Sequence, residues 1–183
     1  MGKQAAFFVE PSSGGIPSEL WTTVVKKVET HLLQSSSFSK ILTEADLAPI
    51  WNQNPILKQE QHRYITTLGL AGISDRDLSI KLGKKLNVDQ FFLLQLEDYP
   101  CTEKCDSPQQ FFLRFTIVDT QTSETIWRGR IHYEPDVEEL QAEAYTALVL
   151  SLTDELIEAL AQGFAIPWHQ WRYEHLKQLH TSG

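Results

Sequence analysis

Phe91-Phe92-Leu93-Leu94, with Leu96 just beyond, is the stretch on which the fold turns. A short run of consecutive apolar residues reads as a strand that is buried on both faces, and such a strand is central in its sheet. Upstream of it, Leu78, Leu82 and Leu86 line one side of a helix. Ser74 and Asp77 stand at capping-box spacing before that helix, and Asn87 suits the left-handed conformation that closes one. Downstream, the chain turns between Asp98 and Pro108, through Pro100, Cys101 and Cys105. Phe111, Leu113, Phe115 and Ile117 then alternate with Phe112, Arg114, Thr116 and Val118, the period of a strand. The polar run Asp119-Thr120-Gln121-Thr122-Ser123 makes a tight connection to a strand from Ile126 to Tyr133. In that strand Trp127, Ile131 and Tyr133 share one face, and Arg128, Arg130 and His132 the other. Three strands joined by short turns predict an antiparallel meander.

Toward the amino terminus, Ala5 to Val9 is an apolar run ended by Pro11 and a Ser-Ser-Gly-Gly loop, the pattern of a buried strand. Pro17 suits the first turn of a helix, and Leu20, Trp21, Val24, Val25, Val28 and Leu32 recur at helical spacing through to Gln34. Phe38 to Leu42 is a short extended segment. Thr43 and Asp46 form a capping-box pair ahead of a helix whose short buried face is Leu47, Ile50 and Trp51. Asn52 to Pro55 stops it, and residues 56–72 read as a further helix that Gly69 and Gly72 bring to an end. Beyond the meander, Pro135 opens the longest helix, with Asp136, Glu138 and Glu139 at its positive end. Leu140, Ala144, Leu148, Leu152, Leu156 and Leu160 recur every four residues, flanked by Val149 and Ile157, until Gly163. At 1.5 Å per residue that helix runs roughly 37 Å. The element order predicts an α/β layered domain over residues 1–163, with a mixed sheet packed by helices, and an aromatic tail over 164–183 that forms a short helix.

The chain has 183 residues, 42% of them hydrophobic, and a formal net charge of −8 from 16 basic and 24 acidic side chains. That is one domain with apolar residues enough for a core. The basic residues read as scattered, without the positive stripe that a nucleic-acid groove requires. No apolar run approaches the ~20 residues that span a bilayer. Met1-Gly2-Lys3-Gln4 lacks the greasy stretch of a secretory signal. The chain therefore reads either as cytosolic or as beginning after a removed export signal, with Met1-Gly2 as a vector scar.

Three stretches carry a resemblance: Ser39-Lys40-Ile41-Leu42-Thr43-Glu44-Ala45-Asp46-Leu47, Leu82-Gly83-Lys84-Lys85-Leu86-Asn87-Val88-Asp89, and Val118-Asp119-Thr120-Gln121-Thr122-Ser123-Glu124-Thr125-Ile126-Trp127. Together they resemble the bacterial envelope lipoproteins that share the fold of the TolB amino-terminal domain. That group includes the curli secretion lipoprotein and the outer-membrane lipoprotein that activates penicillin-binding proteins. In those families a strand with "vvxRxdL" opens a helix, a helix ends in "LGkxLgvD", and a strand pair is joined by "vDxxTGexxW". The likeness covers residues 5–160. Asn87 replaces the usual small residue, and Ser123 stands where Gly is commonest. These motifs describe scaffold: Asp89 suits an anchor at a helix–strand junction, and Trp127 a core position.

The local candidates for chemistry are few. Cys101-Thr-Glu-Lys-Cys105 lies in a loop between antiparallel strands, where the backbone can bring two thiols within bridging distance. A structural disulfide is the leading reading and requires an oxidising compartment; free thiols or a redox or copper site are the alternatives. The six histidines are widely spaced and read as surface residues, His31 as a boundary residue of its helix. No G-x-S-x-G, G-x-x-x-x-G-K or G-x-G-x-x-G motif occurs. Trp168, Trp171 and Tyr173 are either satellite core or anchors for a protein partner.

The expectation is a non-enzymatic periplasmic or outer-membrane-tethered lipoprotein domain that binds an envelope protein complex in assembly or regulation. It has no catalytic residues, metal, cofactor, nucleic acid or small-molecule substrate, and it meets the membrane only through a lipid anchor outside this chain. The competing classes are a thiol redox or metal-handling protein using Cys101 and Cys105, and a cytosolic binding module.

Overall fold

The computed structural model describes residues 2–10, 17–34, 38–99, 110–133 and 142–163. In chain order the elements are β1 (Lys3–Glu10), α1 (Ser18–Gln34), β2 (Phe38–Leu42), α2 (Glu44–Gln53), α3 (Pro55–Ala71), α4 (Arg76–Leu86), β3 (Gln90–Tyr99), β4 (Gln110–Asp119), β5 (Thr125–Tyr133) and α5 (Ala142–Gly163). The five strands form one mixed sheet in the order β2-β1-β3-β4-β5. β1 runs parallel to both β2 and β3, and β3-β4-β5 is the expected antiparallel meander.

β3 is the middle strand, and its side chains alternate between two cores. Phe92, Leu94 and Leu96 join Ala5 and Phe7 of β1 under α1 and α5, where Val24, Val28, Leu32, Leu152 and Leu156 close the layer. Phe91 and Leu93 join Ala6 and Phe8 on the opposite face, under Trp51, Tyr64, Leu68, Leu82 and Leu86 of α2, α3 and α4. The double burial explains why β1 and β3 are continuous apolar runs instead of alternating ones. Aromatic rings cross the strands, with Phe92 meeting Phe115 at 5.8 Å and Phe8 meeting Phe91 at 5.1 Å between centroids. Trp127 packs edge-on against Phe115 at 6.2 Å, half-buried at the margin of the first core.

Several helix ends differ from the sequence reading. Pro17 lies just outside α1, and its carbonyl accepts the Trp21 N–H at 3.0 Å. Asp75, not Ser74, caps α4, its carboxylate accepting from the Leu78 N–H at 3.1 Å. The Ser74 hydroxyl is engaged elsewhere, 2.8 Å from the Tyr64 hydroxyl and 2.8 Å from that of Ser123. Gly69 does not end α3, which runs on to a left-handed Gly72. Its lack of a side chain makes room for the Glu10–Gln95 pair, since a Cβ there would collide with both. The Thr43–Asp46 pair forms as expected, the Asp46 carboxylate accepting the Thr43 N–H at 2.9 Å. The amino-terminal part of the expected long helix, 135–141, and the tail 164–183 lie outside the described residues.

Candidate functional site

At one end of the sheet the family-like motifs turn out to be joinery. Asp89 accepts the Gln4 N–H at 2.8 Å, while its own N–H donates to the Gln4 carbonyl at 2.8 Å. Its carbonyl takes the Thr120 N–H at 3.0 Å, and the Thr120 hydroxyl donates to the Val88 carbonyl at 2.8 Å. Asp119 folds the following turn by accepting the N–H groups of Gln121 and Thr122, both at 2.9 Å. Burial pushes the Asp119 carboxyl up, but those hydrogen bonds, the Thr122 hydroxyl and the Lys3 charge together hold it below the usual carboxylate range. A broad open depression of about 1,190 Å³ lies over this end, lined by Lys3, Lys84, Asn87, Asp89, Asp119 and Gln121 among others. The Asp89 carboxylate and the Asp119 carboxylate on its rim accept backbone amides, so both serve the architecture.

The middle of β4 and β5 is different. Strand periodicity puts Arg128 and Arg130 on one face of β5, and pairing puts Arg114 of β4 directly across from Arg130. Three guanidinium groups therefore converge from two strands, on the part of the sheet that lies past the carboxyl end of α3. Arg114 Nη1 donates to the Gly69 carbonyl at 3.0 Å, and Arg128 Nη2 donates to the Gly72 carbonyl at 2.8 Å. These bonds satisfy carbonyls that a helix leaves open at its end and place cations against its negative pole. Arg130 extends over the Phe112 ring, its Cζ 3.8 Å from the centroid, and is itself exposed.

Burial, and then the neighbouring charge of Arg114, pulls the Arg128 guanidinium below its ordinary value, although it stays protonated at neutral pH. Its Nε is buried without a hydrogen-bond partner among the described residues. The depression between the arginines and Leu70, Ala71 and Gly72 is about 370 Å³. Its rim is apolar as well as basic: Leu70 is 84% exposed, and Ile73 nearby in the chain is 66% exposed. Like charges gathered beside exposed aliphatic carbon suit an anionic partner that also brings apolar groups.

The sequence reading did not find this cluster, because it treated the basic residues as scattered. The signal was present in the alternation of β4 and β5, and only strand register was needed to bring Arg114 beside Arg130. Cys101, Cys105, Trp168, Trp171 and Tyr173 lie outside the described residues. His31 is half-buried at its helix boundary, as expected. Among the described residues, no three His, Cys, Asp or Glu side chains gather where they could hold a metal ion. No described helix is long and apolar enough to cross a membrane.

Solved structures share this architecture. The hypothetical protein CT253 from Chlamydia trachomatis matches with a TM-score of 0.50 and 10% identity, over 89% of this chain and 97% of that one. Lipoprotein GNA1162 from Neisseria meningitidis matches at 0.45 with 13% identity, over 86% of this chain and 99% of that one. The LpoB C-terminal domain from Salmonella enterica matches at 0.43 with 13% identity, over 73% and 84% respectively. No family model and no curated protein matches the chain. At these identities the likeness is one of fold. The resemblance read from the sequence is to proteins of a mixed α/β fold, and the fold alone is what the chain shares with CT253.

Proposed function

We propose that this chain is a non-enzymatic binding domain of a bacterial cell-envelope lipoprotein, docking on a protein partner through the arginine-bearing face of β4 and β5. The observation that carries this reading is the convergence of Arg114, Arg128 and Arg130 in a chain whose net charge is −8. A chain with that charge repels anions at long range, so a local basic cluster beside exposed Leu70 and Ile73 favours one acidic partner surface over anions in general. Under the same reading Cys101 and Cys105 are bridged, as a periplasmic location favours. Trp168, Trp171 and Tyr173 are further candidates for the contact.

The test is site-specific crosslinking in intact bacteria that express the protein. A photoreactive residue in place of Leu70 is expected to trap one discrete partner. A photoreactive residue in place of Lys26, exposed on α1, serves as the control. The Leu70 adduct is expected to disappear when Arg114, Arg128 and Arg130 are replaced by Glu together. Equal adducts from both positions, or none from Leu70, would refute the assignment.

A further inference from the structure

β5 is the terminal strand of the sheet, and among the described residues no strand pairs with its outer edge. At 9 residues it is nearly twice as long as the other edge strand, β2, with 5. A long edge of open N–H and C=O groups is a template for one more strand, and short edges are one way proteins avoid that. β5 also presents two chemically different faces along this edge. Arg128 and Arg130 lie on one, while Trp127 and Ile131 lie on the other, against the first core. The register shifts between Ile117 and Val118 of β4, leaving Ile126 as the extra residue on β5, so regular pairing runs from Trp127 onward.

Resting on the reading above, we propose that the occupant of this site is an extended protein segment of alternating acidic and apolar residues, which adds to the outer edge of β5 as a sixth strand. Side chains two apart on an added strand share a face and stand about 7 Å apart. An acid-x-acid pair thus matches Arg128 and Arg130, the residue between the acids falls beside Gly129, and apolar residues flanking the pair fall beside Trp127 and Ile131. Main-chain hydrogen bonds would supply affinity, and the alternation would supply register. Protection of a bare edge by charge explains basic residues on β5 itself. Arg114 sits one strand inward and holds the Gly69 carbonyl at the end of α3.

The probe is a fluorescein-labelled peptide of four Val-Glu repeats, measured against the folded full chain by anisotropy and by amide hydrogen exchange. The expected result is saturable binding, with slower exchange at amides of residues 127–133. Arg130→Glu is expected to weaken binding at least tenfold and Arg130→Gln less, both folding normally because Arg130 is exposed. Methylating every second peptide nitrogen should abolish binding in one phase and spare it in the other. Three results would overturn the inference. The first is absence of binding, and the second is charge-dependent binding that leaves β5 exchange unchanged. The third is a dimer of the free chain whose β5 amides are already protected. Each leaves the Leu70 crosslinking result standing by itself, so this proposal and the reading beneath it fail separately.

Discussion

Thr120, in the turn after β4, fills the space that a side chain on Gly83 of α4 would need: a Cβ there would lie 2.5 Å from Thr120 Cβ. The hydroxyl that holds Thr120 in place donates to the Val88 carbonyl. The glycine of "LGKKLNVD" is therefore a contact point between helix and turn, and the motif serves packing in this chain.

Gly83→Ala tests that relationship by the sign of its effect. In an exposed helix interior, the change from Gly to Ala stabilises by about 1 kcal/mol. Here the crowding should outweigh it and destabilise by about 1–3 kcal/mol. Urea denaturation against a Lys84→Ala control, expected within about 0.5 kcal/mol of the parent, decides the matter. A stabilised Gly83→Ala would remove the packing account.

Among the described residues two non-glycine residues adopt the left-handed conformation, Asn87 at φ 54° and Ser123 at φ 66°. Both sit where the sequence departs from the lipoprotein pattern. Asn87 closes α4, its N–H donating to the Gly83 carbonyl, and its side chain makes no described hydrogen bond. Asn87→Gly is thus expected to stabilise by about 0.5–1 kcal/mol through relief of the backbone. Ser123 differs, because its hydroxyl closes a chain with Ser74 and the buried Tyr64. Ser123→Gly should gain about 1 kcal/mol of backbone relief and lose about 1 kcal/mol of hydrogen bonding. The expected net change in thermal or chemical denaturation is near zero, and a gain equal to that of Asn87→Gly would show the hydroxyl chain to be idle.

Acid should find the turn at Asp119 before it finds the core. The Asp119 carboxyl is held below its ordinary value in the folded chain, so its ionised form favours folding. That contribution is complete above the unfolded carboxylate value of about 3.9, and it is lost as pH falls through the lower folded value. Asp46 acts in the same direction through its bonds from Thr43. Asp119→Asn should therefore be less stable than the parent at pH 6, with the gap closing as pH drops below about 3.9. Thermal melts across pH 2.5–7 on an arbitrary grid read this directly. A gap that stays constant with pH would mean the carboxylate charge contributes nothing.

How much could be read in advance follows from how local each signal is. The strands and helices were legible because Phe91–Leu94, the β4 alternation and the α1 stripe each report burial over a few neighbouring residues. The Thr43–Asp46 cap was legible for the same reason, being complete within four positions. Gly69 was not, because the Glu10–Gln95 pair that requires it comes from two distant strands. Ser74 was mistaken for a cap because its partner Ser123 lies 49 residues away. The arginine cluster was hidden in the same way: each member looks like the ordinary polar face of a strand until register sets Arg114 opposite Arg130.

Within that cluster, structural and binding contributions separate by residue. Arg128 supports the end of α3 through Gly72. Arg128→Ala should therefore lower stability by about 1–2 kcal/mol, the cost of leaving a carbonyl without its charged donor. Among the described residues Arg130 reaches the Phe112 ring and is exposed, so Arg130→Ala should cost no more than about 1 kcal/mol. If the face is a docking surface, the order reverses when partner capture from Leu70 is measured at a temperature where all variants are folded. Arg130→Ala then loses the adduct, although it barely moves the denaturation midpoint. Were both substitutions to reduce capture only in proportion to lost stability, the three arginines would be architectural supports and the binding role would have to lie elsewhere on the chain.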